Sequence, residues 1–353
     1  MDHPDIELSS YSGIKSDYTL SKYSTFSFPE PDHLKPVHYP QCSCKASQKT
    51  FSKKKLNSSS YNPDIVDSCP FAKQWTQHLN MPENGKELYT TLIQISLETP
   101  SLNSSVRQIE LDANRTFPEN EYFTGGDGKV VLKRLLTAFS KYNQTIGYVQ
   151  GMNFIAATLL WHSNEIDAFW LFVGLTEDYD LRESFLTGFP GLAKHCHILD
   201  FLMIEQLPNL YSHFVQNGVS VQMFATDWCF TLFTSLVPIE ESHWIFGKFF
   251  ELKWTFFYKL VIEILDRLQE KLLSCDDVVN ILTPLKPYQS SPKNWRLFVK
   301  TLQKGKEKLN WQKLAKAAEK REIDEKGVNT LLNEAYNRSS HNDTGEEYFN
   351  KPV

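Results

Sequence analysis

Two short segments, Ile109-Glu-Leu-Asp112-Ala-Asn-Arg115-Thr-Phe-Pro118 and Gly147-Tyr148-Val-Gln150-Gly151-Met-Asn153, flank a helical-looking run over 130–142. Within that run Leu132, Leu135, Phe139 and Tyr142 recur at spacings of three and four. One helix face is therefore apolar and can pack both flanking segments onto a shared core. Each flank carries one long polar side chain beside residues that interrupt regular structure: Arg115 ahead of Pro118, and Gln150 between Gly147 and Gly151. The reading that follows is that Arg115 and Gln150 converge on one external substrate.

Outward from this stretch the pattern stays helical. Leu88, Leu92 and Ile95 mark a segment before it, and 152–161, 167–175, 192–204, 207–214, 224–233, 243–250 and 256–273 follow. Strand signals are scarce, and Pro190, Pro208 and Pro238 with Gly188, Gly191 and Gly218 punctuate the series. The expected fold is all-α, with a large multi-helix domain over 69–283. A smaller helical extension over 284–338 begins near Pro284 and Pro287, and 339–353 is a polar, frayed end. Residues 1–68 read as a disordered tail, rich in Ser, Tyr, Pro and Lys, with prolines at 29, 31, 36 and 40.

A chain of 353 residues, 41% hydrophobic and 13% aromatic, can bury a large core. Six cysteines at this length make no dense disulfide framework, and the N-terminal sequence lacks the basic and apolar regions of a secretion signal, so a reducing, cytoplasmic setting is expected. The longest apolar stretches are short or interrupted by Lys259 and Glu263, which argues against a bilayer span. Residues 286–321 hold eleven Lys or Arg against Glu307 and Glu319, which is +9 locally and, within a net −5, leaves −14 for the rest. Such a basic face can meet an anionic membrane surface or an acidic partner, with nucleic acid as a third reading. The scatter of these lysines is equally the pattern of a solvated helix flank.

The familiar catalytic motifs are absent. Gly125-Gly-Asp-Gly128-Lys129 is followed by Val and preceded by no strand, so it reads as a loop before a helix rather than a phosphate-binding loop. His195-Cys196-His197 with Asp200 places adjacent residues on different helix faces and has no second ligand pair, so no metal site is expected. Cys42-Ser-Cys44 likewise lacks a partner pair at zinc-finger spacing. Phe169, Trp170, Trp228 and Phe233 sit at helical spacing and read as core rather than ligand contacts.

Ile109-x-x-Asp112-x-x-Arg115 followed by Tyr148-x-Gln150 resembles the signature of the TBC-domain GTPase-activating proteins that act on Rab GTPases. Leu135-Leu-Thr-Ala-Phe139, Ile146-Gly-Tyr-Val-Gln-Gly-Met-Asn-Phe-Ile155, Ala168-Phe-Trp170, Gly188-Phe-Pro-Gly-Leu192 and Trp228-Cys-Phe-Thr-Leu-Phe233 resemble that domain's running pattern, in order, over 88–273.

The resemblance implies a GTPase activator rather than an enzyme complete in itself. Arg115 would be an arginine finger meeting the β and γ phosphates, and Gln150 a glutamine finger orienting the attacking water. Asp112 would hold the guanidinium or the local backbone. Ile109 and Tyr148 would pack the motifs against the core, with Gly147 and Gly151 shaping the second loop. GTP and Mg2+ would arrive with a GTP-bound Rab, so no cofactor of the chain's own and no nucleic-acid partner are expected. Peripheral contact with endomembranes through 286–321 is a further expectation. The alternative within the same fold is a catalytically inactive Rab-binding scaffold. The sequence leaves the family pattern at Phe71-Ala-Lys-Gln-Trp75 and at Phe246-Gly-Lys-Phe-Phe250, both away from the finger motifs.

Overall fold

A computed structural model describes residues 68–98, 104–286, 298–303, 309–324, 326–331 and 333. The expected tails over 1–68 and 339–353 fall outside these residues, except for Ser68. Ser68 is buried, and its hydroxyl donates to Asp167 and accepts the backbone N–H of Asn164. It belongs to the folded domain rather than to a tail.

The described residues form helices and no strands. In chain order these are α1 (Pro70–Thr76), α2 (Gly85–Glu98), α3 (Ser104–Asn114), α4 (Glu121–Thr124), α5 (Asp127–Tyr142), α6 (Met152–His162) and α7 (Glu165–Glu177). Then come α8 (Leu181–Phe185), α9 (Pro190–Gln206), α10 (Pro208–Gln216), α11 (Gln222–Thr231), α12 (His243–Leu273), α13 (Val278–Leu285) and a helix we number α14 (Trp311–Glu319). The central run of the opening stretch is α5, and it packs against α2, α3, α4, α6 and α7. Leu132, Leu135 and Phe139 are fully buried, while Tyr142 lies partly buried edge-on to Phe169 and Trp170. Helices α6 and α7 are buried on nearly every side, so their sequences are apolar all round instead of striped.

The segments expected as separate helices over 243–250 and 256–273 are the two halves of α12, parted by non-helical backbone at Lys253 (φ 53°, ψ −141°). The helix expected over 224–233 ends at Thr231, because Leu232 and Phe233 take left-handed conformations. The two stretches that leave the family pattern meet in the core. Trp75 of α1 is buried, with its ring centroid 5.7 Å from that of Phe246 and 5.6 Å from that of Phe250 in α12.

The expected boundary at 283/284 falls inside α13. Beyond it, α14 lies along α12 and buries Trp311, Leu314, Ala315 and Ala318 in the same hydrophobic core. Lys259 and Glu263, which interrupt the apolar stretch of α12, hold this extension in place. The Lys259 ammonium donates to the Glu319 carbonyl at 3.1 Å, and the buried Glu263 carboxylate receives Arg267 at 2.7 Å and Arg321 at 2.9 Å. No helix among the described residues is long and apolar enough to cross a membrane.

Candidate functional site

Helix α3 ends one residue before Arg115, and its inner face is fixed by the buried Ile109 and Asp112. A buried carboxylate is costly unless its oxygens are satisfied. At Asp112, Oδ1 accepts Arg115 Nε–H at 2.9 Å and Gln108 Nε2–H at 3.1 Å, and Arg115 Nη2 lies 2.8 Å away. Oδ2 accepts the Tyr148 hydroxyl at 2.6 Å. The Arg115 side chain is nonetheless 55% exposed, so it is anchored along one edge and open at the other. Two residues on, Phe117 has φ 44°, a left-handed conformation that a bulky side chain rarely adopts. Its ring packs 5.9 Å from Phe123 and 5.4 Å from Phe154, which holds the strained turn beside Arg115.

The second loop needs its glycines. Gly147 (φ 64°) and Gly151 (φ 109°) both lie in the region that favours glycine. A Cβ at Gly151 would stand 3.1 Å from both Cβ and the carbonyl oxygen of Phe230, so the loop tip presses against α11. Gln150 is exposed at that tip, immediately before α6.

Asn153 ties the two loops together. Its buried Oδ1 accepts the Gly151 N–H at 3.1 Å and lies 3.2 Å from the Tyr148 hydroxyl, while its Nδ2 donates to Thr116 Oγ1 at 2.8 Å. Thr116 in turn donates to the Asp112 carbonyl at 2.7 Å. Tyr148 therefore does more than pack, as the resemblance implied; it is the link between the carboxylate under Arg115 and the glutamine loop. Burial, and then the Asp112 carboxylate, push its phenol well above the usual tyrosine range, so it remains a hydrogen-bond donor.

Arg115 and Gln150 line one cleft of about 490 Å³. Phe154, Phe189 and Phe230 supply an apolar side, with the Phe189 and Phe230 ring centroids 5.3 Å apart. Asp227, Leu285 and Lys286 supply another wall. Trp228, read as core, is buried beneath this cleft, with its Nε1–H donated to the Leu285 carbonyl. Phe169, Trp170 and Phe233 are core residues. His195 is buried against Trp254, 3.5 Å between ring centroids, with Nδ1 2.7 Å from the Tyr258 hydroxyl, and burial pushes its pKa well below the usual histidine range.

Sequence reasoning missed Asn153 and Thr116 as connectors, although both lie inside the quoted motifs. A small amide at the start of a helix, two residues after a glycine, was the available signal for Asn153. Phe189 and Phe230 lie inside segments quoted for the resemblance and Lys286 opens the basic segment, but nothing local marked them or Asp227 as cleft residues, since that role comes from tertiary contact across long stretches of chain.

The family model described as Rab-GTPase-TBC domain matches residues 56–273, reaching into the segment expected as tail. The chain is 34% identical over 200 residues to the GTPase-activating protein GYP5 of Saccharomyces cerevisiae, covering 56% of this chain and 21% of that protein. It is 34% identical over 169 residues to the Rab GTPase-activating protein eat-17 of Caenorhabditis elegans, covering 48% of this chain and 19% of that one. The chain thus spans about a fifth of the length of these relatives. Among solved structures, the Chlamydomonas flagellar RabGAP TBC domain superposes with TM-score 0.53 at 22% identity, covering 69% of this chain and 80% of that one. The Ypt/Rab-GAP domain of Gyp1p gives 0.52 at 17% identity, covering 77% and 89%. At these identities the structural likeness is one of fold.

Proposed function

The chain belongs to the Rab-GTPase-TBC domain family, and from that premise we propose that it stimulates GTP hydrolysis by a Rab-family GTPase, with Arg115 and Gln150 as its two fingers. The observation that carries this reading is that both side chains line one cleft, the arginine braced on a buried carboxylate and still largely exposed.

The chemistry follows from those positions. Water attacks the γ-phosphorus of GTP, the bond to the β–γ bridging oxygen breaks, and negative charge gathers on the phosphoryl and bridging oxygens. Arg115 commits one edge of its guanidinium to Asp112 and keeps its remaining N–H groups for those oxygens; its planar fork stays charged and can reach two of them at once. Because Asp112 fixes the side chain beforehand, little conformational entropy is lost when the phosphates arrive. Gln150 carries both an acceptor and a donor on one amide, which suits it to orient the attacking water. The nucleotide and its Mg2+ come with the GTPase.

Peripheral membrane contact is a second element of the proposal. Lys313, Lys316 and Lys320 are exposed at spacings of three and four along α14 and its end. Loss of sedimentation with anionic liposomes in the triple Lys→Ser variant is the expected result; unchanged sedimentation would remove this element.

The main test is single-turnover GTP hydrolysis across a panel of GTP-loaded Rab proteins, comparing wild type with Arg115→Ala and Gln150→Ala. Acceleration of at least one Rab, lost in both variants, is expected. Binding of a GTP-loaded Rab without acceleration would replace this reading with the scaffold alternative.

A further inference from the structure

The two fingers and one wall of their cleft come from different parts of the chain. Arg115 and Gln150 lie within the family-matched residues, which end at 273, whereas Leu285 and Lys286 come after them. Lys286 Nζ stands 3.2 Å from Asp227 Oδ2, and both side chains remain accessible, 27% and 32% exposed. Among the described residues lining the cleft, Arg115, Asp227 and Lys286 are the charged ones.

As a clasp for the end of α13 this ion pair adds little. Partly exposed pairs contribute about 0–1 kcal/mol. The segment is already anchored, since Ile281 and Leu285 are fully buried and the Leu285 carbonyl accepts Trp228 Nε1–H at 3.2 Å. What the pair does present is a fixed order of signs on the cleft wall, in reach of whatever partner the fingers engage. Charges so placed set partner choice, because like charges brought together cost far more than a mispaired apolar contact.

We infer that Asp227 and Lys286 form a partner-reading pair, selecting GTPases that bring a basic and an acidic side chain in the complementary order against this wall. The inference rests on the activator reading above and adds to it a specificity element supplied by the segment after the family-matched region.

The test is the double exchange Asp227→Lys with Lys286→Asp in the full chain. It keeps the internal ion pair and reverses the signs shown to the partner. On the GTPases that wild type accelerates, KM should rise about tenfold or more while kcat changes little, because the fingers are untouched and a charge reversal at an interface acts on association. The preference order across a GTPase panel should shift as well. Wild-type KM and preference in the exchanged protein would overturn the inference and leave the pair as a clasp. If the exchanged protein melts early, Asp227→Asn with Lys286→Met replaces it, with a KM rise of several-fold supporting the inference and no rise overturning it. Failure of wild type to accelerate any GTPase would defeat the activator reading separately. The same variants are then read by affinity for GTP-loaded Rab proteins, where unchanged affinity overturns the inference.

Discussion

Asp112 and Glu165 are both buried carboxylates that receive a tyrosine hydroxyl and an arginine, yet they hold their arginines to opposite ends. Glu165 accepts the Tyr89 hydroxyl at 2.6 Å and Arg134 at 2.6 Å and 2.5 Å, using both of its oxygens, and Arg134 is only 11% exposed. The carboxylate sits in the first turn of α7, where the helix N-terminus also favours negative charge. Asp112 accepts Tyr148 at the same 2.6 Å, but both of its Arg115 contacts fall on Oδ1, and Arg115 is 55% exposed. Each arginine spends the same two groups, Nε and one Nη, on its carboxylate, so the contrast lies in burial: Arg134 is enclosed, whereas the outer edge of Arg115 stays open to a ligand. The same three residue types therefore make a structural clamp in one place and a presented cation in the other.

Removing the arginines should separate the two roles most sharply. Arg115→Ala should lower stimulated GTP hydrolysis by roughly 10³ to 10⁵, or about 4 to 7 kcal/mol of barrier, with a smaller drop in melting temperature than loss of the buried Arg134, because Tyr148 and Gln108 still donate to Asp112 and Arg115 itself is half exposed. Single-turnover assays and thermal melts on one preparation check both halves. Arg134→Ala should do the reverse. It takes the arginine from a buried carboxylate, a loss of about 3 to 5 kcal/mol of stability, while folded molecules keep their stimulated rate. An Arg134→Ala protein that melts like wild type would break the comparison.

The tyrosines sharpen it at a smaller scale. Tyr148→Phe removes one donor from Asp112 and the link toward Asn153, so it should cost about 1 to 3 kcal/mol of stability and also slow stimulated hydrolysis. Tyr89→Phe should cost a similar amount of stability with no change in rate. Equal rate effects from both would mean that the network beneath Arg115 transmits nothing to the cleft.

That contrast also shows what sequence could and could not say. The helices were legible because their apolar spacing follows directly from helix geometry, as with Leu132, Leu135 and Phe139 on α5. The glycines at 147 and 151 were legible as breaks, though the close approach of Phe230 that requires one of them was not. Arg115 and Arg134 look alike in sequence, and their difference lies in burial: Arg134 meets a carboxylate from another helix inside the core, whereas Arg115 pairs with one three residues before it and stays open. Glu165 is 31 residues from Arg134 and 76 from Tyr89, and no local pattern reports such a meeting. Lys286 was counted within a scattered basic segment, and only its pairing with Asp227 puts it on the cleft wall. The end of α13 crossed the expected domain boundary for the same reason, since a proline tolerated inside that helix reads locally as a stop.

A third carboxylate completes the comparison by lacking what the other two have. Asp200, on α9, receives no hydrogen bond or ion pair among the described residues, and burial pushes its pKa up to about 6. A raised acid pKa means that the folded state prefers the neutral form. The stability gained from that preference is full below the ordinary value near 3.8 and is lost as pH rises toward 6, above which a charge is held where water is scarce. Asp200→Asn removes the charge and keeps the size. It should leave stability nearly unchanged at pH 4 and raise it by about 1 to 2 kcal/mol at pH 7.5, after allowing for the side chain's partial contact with solvent. Denaturant titrations of both proteins at the two pH values measure this directly. A gain of equal size at both would mean that the substitution acts through packing, and that Asp200 has donors which, like those of Asp112 and Glu165, make its charge tolerable.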